Sequence, residues 1–428
     1  MRNTFRSFLL VLLSLMLLSS CALAEAPQPD AQKKQGKIEL TFWHNFGASY
    51  EAPAMEKMVE TYNNSQDKVH ITAEYVGDVS EKLQAAIIGG NAPDVALFSG
   101  NAVKQWANEG MFMDLTDLCE QAGITGDGYY ENCWEEATYN GRVYAIPFNT
   151  DCRALFYNTD MFEAAGLDVN NPPTTIAQLD EYAEKLTIRD DSGRYVQLGF
   201  IPWTGHGGIL TWGFAFGGSL YDKETGLVTA DDPAFVEALT WEKTYADKYD
   251  IEAVDSFTLT TQGVISSFTS LKQAMIVGGS WEIAQYEEIT GLHYKVCAIP
   301  SPDGEHFYTW AGGYDFVIPY NKTANAEYVI DFMKFCSTGE GALIFCEDGG
   351  WFCTNRELNE QLSWVQKDER YQVFVDALDT ARCRPPVSQG QYFLEQLTTA
   401  EERVIHADED PAAMLKKASD RVNKRLKH

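Results

Sequence analysis

Ten tryptophans and sixty-two acids in 428 residues supply two recognition chemistries: flat apolar faces and paired acceptor oxygens. An indole packs against the C–H face of a ring, and a carboxylate accepts two hydroxyls at once. That pairing suits a polyhydroxylated solute. Several such residues stand at the ends of strand patterns, where open α/β sheets bind ligands. Trp43, His44 and Asn45 follow one strand, and Ser99, Gly100 and Asn101 follow another. Trp281 leaves a strand through Gly278-Gly279-Ser280. His44 is equally read as a satisfied hydrogen-bonding group. Gly312 and Gly313 in TWAGGYDF either let backbone N–H groups approach a solute or form a tight turn.

Catalytic motifs are missing. His206-Gly207-Gly208 has the composition of an oxyanion loop, yet no G-x-S-x-G elbow supplies a serine. H-E-x-x-H, the P-loop and G-x-G-x-x-G are also absent. No C-x-x-C occurs, and no histidine stands at metal-ligand spacing from a cysteine, so neither a metal nor any other cofactor is expected. Composition alone leaves a pair of glycosidase carboxylates open.

The elements that position these residues read as follows. Ile38, Leu40 and Phe42 alternate as a strand, and Met55, Met58, Val59 and Tyr62 follow at helical spacing. Val69 to Tyr75 alternates again. Leu83, Ala86 and Ile87 mark a helix stopped at Gly89-Gly90-Asn91, and Asp94 to Phe98 is a short strand. This βαβ order predicts an α/β fold with helices on both faces of a parallel sheet. Val143 to Phe148 and Arg153 to Tyr157 read as two strands broken by the polar Asn149-Thr150-Asp151. Pro172-Pro173 then stops the chain, and Thr175 with Gln178 predicts a capping box. Helices are expected around 175–187, 232–248, 324–335 and from Asp408. Strands are expected at Ala274–Val277, Lys295–Ile299 and Phe316–Ile318.

At the N-terminus, Arg2 and Arg6 precede an apolar run, Phe8 to Leu18, that is too short to span a bilayer comfortably. Two processing sites overlap. Leu18-Ser19-Ser20-Cys21 resembles a lipobox, which would make Cys21 the lipidated first residue of a lipoprotein. Ala22-Leu23-Ala24 fits ordinary signal-peptidase cleavage before Glu25. Residues 25–36 read as a polar tether. The net charge of −29 deepens by two once Arg2 and Arg6 leave, which argues against nucleic acid and anionic lipid as partners. Eight cysteines remain without Cys21, and in an exported chain an even count suggests disulfides; Cys346–Cys353 and Cys119–Cys133 are the nearest pairs.

The segments ELTFWHNFGASYEAPAMEKMVETYN, GNAPDVALFSGNAVKQWANEGMFMDLTDL, LKQAMIVGGSWEIA, KVCAIPSPDG, TWAGGYDFVIP and YVIDFMKFCSTGEGALIF follow one another around the 141–186 crossover. Their order resembles family 1 of the extracellular solute-binding proteins of ABC importers, the maltose-binding-protein-like family. The resemblance implies a two-lobed periplasmic-binding-protein fold of type II, each lobe a mostly parallel sheet flanked by helices, joined by hinge crossings. Crossings are expected near Asn149–Cys152, Ile299–Ser301 and Ser337–Gly341. One lobe would comprise 37–149 with 301–337, the other 150–300 with 338–428. It implies a monomer outside the cytoplasmic membrane that binds a small-molecule solute and docks on permease subunits. Membrane contact would come only through the lipid anchor. It also implies that Asp151 is a ligand carboxylate, that Trp281 stacks on a sugar, and that Trp203, Trp212, Trp351 and Arg384 or Arg382 border the cleft. A mono- or oligosaccharide is the preferred solute. Glycerol-3-phosphate or a glycerophosphodiester is the alternative, with an arginine meeting the phosphate. A secreted glycoside hydrolase is the remote one.

Overall fold

The computed structural model describes residues 36–259, 266–385 and 387–427. The expected signal segment, Cys21 and all of the tether before Gly36 lie outside the described residues. From Glu39 onward the chain forms one contact unit.

Its frame is a mixed sheet centred on one strand, Ala145–Asn158, whose fourteen residues are all buried. The expected break at Asn149–Asp151 is absent. Each of the three polar side chains makes one bond to the neighbouring strand Ala311–Val317: Tyr314 N–H donates to Asn149 Oδ1 at 2.9 Å, Thr150 Oγ1 donates to Gly312 O at 2.9 Å, and Gly312 N–H donates to Asp151 Oδ1 at 3.1 Å. Polar residues can therefore sit inside a buried strand when each finds a partner there.

On one side of this strand lies the first lobe, with sheet order Ala145–Asn158, Ala311–Val317, Val95–Ser99, Ile38–His44, Val69–Tyr75. On the other side, Met275–Gly279 and Tyr294–Cys297 pair with the same strand's second half. Parallel pairing occurs within each lobe, at Phe42–Val95 and in the bridges Leu198–Gln273 and Gly205–Val277. In the main sheet the antiparallel ladders involve the strands Ala145–Asn158 and Ala311–Val317, which run between lobes.

Two lobe boundaries differ from expectation. Ser301 still bridges Thr175, and Trp310 bridges Arg382, so residues 301–310 stay with the second lobe. The helix Glu340–Gly349 packs on Glu51–Ser65 of the first lobe, where Lys57 pairs with Asp348 at 2.6 Å. The second and third crossings therefore fall near Gly312–Gly313 and Phe352–Cys353. All three crossings meet side by side. Gly313 lies opposite Thr150 on one flank and Phe352 lies opposite it on the other. Gly313 has φ +153°, and a Cβ there would stand 2.1 Å from Asn149 O. Only glycine allows the strands to close at that point.

The capped helix forms as read, Ile176–Leu186, with both halves of the Thr175–Gln178 box present. Asp232 and Asp410 cap Pro233–Lys248 and Pro411–Leu426. The second-lobe core gathers Phe162, Phe200, Trp212, Phe235, Leu239 and Phe393. The first lobe packs Leu83, Phe98, Val103, Phe112 and Val317 on one face of its sheet. On the other it packs Phe42, Phe148, Phe316, Phe332 and Phe345.

The expected disulfides are not formed. Cys119, Cys133, Cys346 and Cys353 are buried free thiols. Cys133 turns to Thr150, and Cys346 meets the thiol of Cys353 without a bond. Burial pushes the Cys119 and Cys297 thiols up to about 12. Among the described residues no helix is long and apolar enough to cross a membrane, and no cluster of three metal-ligating side chains occurs.

Candidate functional site

Where the three crossings meet, each delivers a large side chain to one place. Asp151 and Arg153 stand two residues apart on one strand, hence on one face. Arg153 Nη1 bonds Asp151 Oδ1 at 2.6 Å, and both are buried. The guanidinium lies 3.7 Å from the ring centroid of Trp310 and 4.9 Å from that of Trp281. A desolvated cation over an indole contributes about 2 kcal/mol. Trp281 and Trp351 stack at 6.2 Å with 27° between their planes.

Local sequence explains how the indoles are held. Gly279 pairs with Arg153, and a Cβ on it would come within 2.2 Å of the Trp281 ring, so GGSW lets the indole fold back over its own strand. Glu282 accepts from Gly279 N–H at 3.0 Å, and burial pushes it up to about 7. Trp310 and Trp351 each immediately precede a crossing strand. Trp310 Nε1 donates to Thr211 Oγ1 at 2.9 Å, and Trp351 Nε1 donates to Glu51 Oε1 at 3.1 Å. His206 stands edge-on to Trp281 at 5.2 Å. Burial, then the Arg153 charge, lowers its pKa to about 4, so the imidazole is neutral.

Around this aromatic centre stand buried polar atoms without partners: Asn45 Oδ1, Glu136 Oε1, Asn149 Nδ2, Arg153 Nε, Asp315 Oδ2 and Arg384 Nε. Orphaned groups are rare in native interiors, so a cluster of them marks a place built for something else to fill. Arg384 lies 5.3 Å over Trp310 and next to Gly312. Asn45 meets the phenol of Tyr314. A separate cavity of about 350 Å³ spans both lobes beyond, lined by Glu131, Glu135, Lys223, Arg382 and Cys383. Lys223 reaches Glu135 across it at 3.3 Å.

The structure thus gathers Asp151, Trp281, Trp351, Arg384, Gly312 and Asn45 at the centre. Ser99 lies opposite Tyr314, but its hydroxyl is spent on Asn101 at 2.5 Å. Other expected residues stand elsewhere or have their polar groups already engaged. Trp212 is fully buried in the second-lobe core, its Nε1 donating to Pro202 O at 2.9 Å, with no face left for a solute. Trp203 is partly buried against that same core, as Trp310 is. Trp43 turns to the opposite face of its strand and bonds Glu74 at 2.9 Å. His44 packs between Phe42 and Tyr75, and burial lowers its pKa to about 4. Gly312 and Gly313 are strand residues, not a turn, and the Gly312 N–H is already taken by Asp151. Arg382 braces the backbone by donating to Gly217 O at 3.2 Å.

Sequence reasoning missed Arg153, Trp310, Tyr314, Glu136, Asp315 and His206. Arg153 had a readable signal, an opposite charge two residues from Asp151 on a strand. Trp310 and Tyr314 flank the glycines in TWAGGYDF. Glu136 had none, because its meaning arises only from residues far away in the chain.

Residues 47–342 match the family described as bacterial extracellular solute-binding protein. The maltodextrin-binding protein MdxE of Bacillus subtilis (strain 168) is 23% identical over 383 residues, 85% of this chain and 87% of that protein. The sn-glycerol-3-phosphate-binding periplasmic protein UgpB of Rhizobium meliloti (strain 1021) is 24% identical over 325 residues, 72% of this chain and 74% of that protein. Among solved structures, CpMnBP1 with mannotriose bound superposes with a TM-score of 0.76 at 25% identity, covering 90% of this chain and 99% of that one. The sugar-binding protein MalE of Xanthomonas citri shares the fold, with a TM-score of 0.76 at 18% identity, over 91% and 97% of the two chains. The chain belongs to the bacterial extracellular solute-binding proteins and has their two-lobed α/β fold.

Proposed function

We propose that this chain binds a neutral oligosaccharide between its lobes and delivers it to the membrane subunits of an ABC importer, with no chemistry performed on it. The observation that carries this reading is the junction of three crossings, where Trp281, Trp310 and Trp351 surround a buried Asp151–Arg153 pair and unpartnered polar atoms. Indoles pack on the C–H faces of sugar rings, and orphaned donors and acceptors take their hydroxyls. A solute that touches both lobes only when they close stabilises the closed state by its differential affinity. The relatives that bind maltodextrin and mannotriose support the same class.

Glycerol phosphate is the second reading, favoured by the UgpB relatives and by the unpartnered Nε of Arg384. Against it, Arg153 is committed to Asp151, and Glu136 acts on Arg384. A thermal-shift screen of maltotriose, mannotriose and glycerol-3-phosphate separates the two. A ligand at about 100 times its Kd adds about 2.7 kcal/mol of stability. Stabilisation by glycerol-3-phosphate with none by either saccharide overturns the sugar reading.

The same proposal includes export as a monomer, with the Phe8–Leu18 segment as signal and either lipidation of Cys21 or cleavage before Glu25. Mass spectrometry of the mature N-terminus distinguishes them: a diacylglyceryl cysteine or a free Glu25 amine.

A further inference from the structure

Behind the aromatic centre, two carboxyl groups from distant parts of the chain converge over Gly100, the first residue of the helix Gly100–Asn108. A Cβ on Gly100 would lie 2.5 Å from Glu136 Oε2 and 3.1 Å from Asp315 Oδ2. Glu136 is 6% exposed and Asp315 is 3% exposed. Each keeps one oxygen with no partner, Glu136 Oε1 and Asp315 Oδ2. Asn149, 1% exposed and on the same strand face as Asp151, keeps an unpartnered Nδ2. The groups acting on Glu136 are Arg384, Lys104, Asp151 and Glu135, and Lys104 is itself buried on that helix. The pair is therefore continuous with the Asp151–Arg384 side of the cleft.

Two buried carboxyls in contact distance of one glycine are costly unless something donates to them. Lys104 and Arg384 already bring positive charge to Glu136, yet Glu136 Oε1 and Asp315 Oδ2 stay unpartnered; a neutral group with several hydrogen-bond donors answers both without adding charge. We propose that Glu136 and Asp315, with Asn149, form a second subsite of the cleft that grips adjacent hydroxyls at one end of the bound saccharide and sets the specificity for it. The inference rests on the saccharide reading above and assigns that reading to particular residues. In the empty protein burial pushes Glu136 up to about 7 and Asp315 well above the usual carboxylate range. Hydroxyl donors favour the ionised forms and lower both.

The test is calorimetric titration of the mature chain with maltotriose and mannotriose. Failure of the wild-type protein to bind either sinks the saccharide reading, and the subsite with it. Given wild-type binding, Glu136→Gln and Asp315→Asn each weaken it at least tenfold while the melting temperature holds or rises. The control Glu242→Gln, in the second-lobe core, leaves the Kd unchanged. Wild-type-like affinity in both subsite variants overturns the subsite alone. So does tighter binding of glucosamine than of neutral sugars, which would assign the pair to an ammonium. Should a variant fail to fold, the wild-type protein carries the test through proton release on binding, measured near pH 7 in two buffers of different ionisation enthalpy. No release overturns the proposal.

Discussion

The cleft and the core of the second lobe are built from the same residue types, yet they differ in how their polar atoms end. The core holds Trp212 and Trp241, and each indole N–H is answered, by Pro202 O at 2.9 Å and by Asp180 at 3.0 Å. It also holds two buried acids: Glu401 accepts from Ile209 N–H at 3.1 Å, whereas both carboxyl oxygens of Glu242 stand without a hydrogen-bond partner. The cleft holds Trp281, Trp310 and Trp351, of which Trp310 and Trp351 are likewise answered, by Thr211 and Glu51, and the acids Glu136 and Asp315. There each acid keeps one unpartnered oxygen, and neighbouring amide and guanidinium groups are orphaned as well. Tryptophan content and buried charge do not separate a site from a core. What separates them is the spread of unpartnered groups: one carboxyl in the core, against carboxyl, amide and guanidinium groups from several elements in the cleft.

The largest way to break the comparison is to truncate the core. Trp212→Ala removes a fully buried indole and should cost about 3–5 kcal/mol of stability. Urea denaturation measures it, and a loss under 1 kcal/mol would mean that Trp212 is not core. Trp281→Ala inverts the pattern: affinity for the bound saccharide falls at least tenfold, about 1.4 kcal/mol, with a smaller stability change. Equal affinity in wild type and variant removes Trp281 from the site.

The acids sharpen it further. Glu136, Glu282 and Glu401 are pushed up to about 7, and Glu242 and Asp315 well above the usual carboxylate range, all by burial first. A raised acid binds more protons in the native state than unfolded, so its stabilisation is full below about pH 4 and is lost as pH rises through 7. Stability should therefore fall between pH 5 and pH 8, by about 3 kcal/mol for each acid moved from its usual range to about 7. Glu242→Gln should flatten that slope with or without solute. Saturating saccharide should flatten only the part owed to Glu136 and Asp315. A slope insensitive to both contradicts the distinction. The smallest effect is at the edge of the core: Thr175→Ala breaks the capping box at a cost of about 1 kcal/mol and leaves affinity alone. Chemical denaturation and titration of the same sample check both halves.

Most of the frame was legible in the sequence. Alternation gave Ile38–His44 and Val69–Tyr75, helical spacing gave Glu51–Ser65, and Thr175 with Gln178 gave the cap. These are local signals, and local physics honours them. Residues next to strand ends were harder. Strand periodicity says that Trp43 and His44 face opposite ways, but not which face borders a cleft. Trp212 lay in an aromatic-rich loop and helix, and only its packing against Phe200 and Trp241 shows it is core. Asn149–Asp151 read as a break because their partners, Gly312 and Tyr314, lie more than 160 residues away. The crossings moved for the same reason, since Ser301 and the helix from Glu340 are held by contacts that no local pattern records.

That Gly313 and Phe352 flank Thr150 has a mechanical consequence. Three separate linkers could each flex at a residue of their own, but strands laced into one ribbon share any torsion applied to them. The lobes are joined as by a leaf spring, and its stiffness belongs to the ladder. Lengthening one leaf by a single residue would throw the other two out of register.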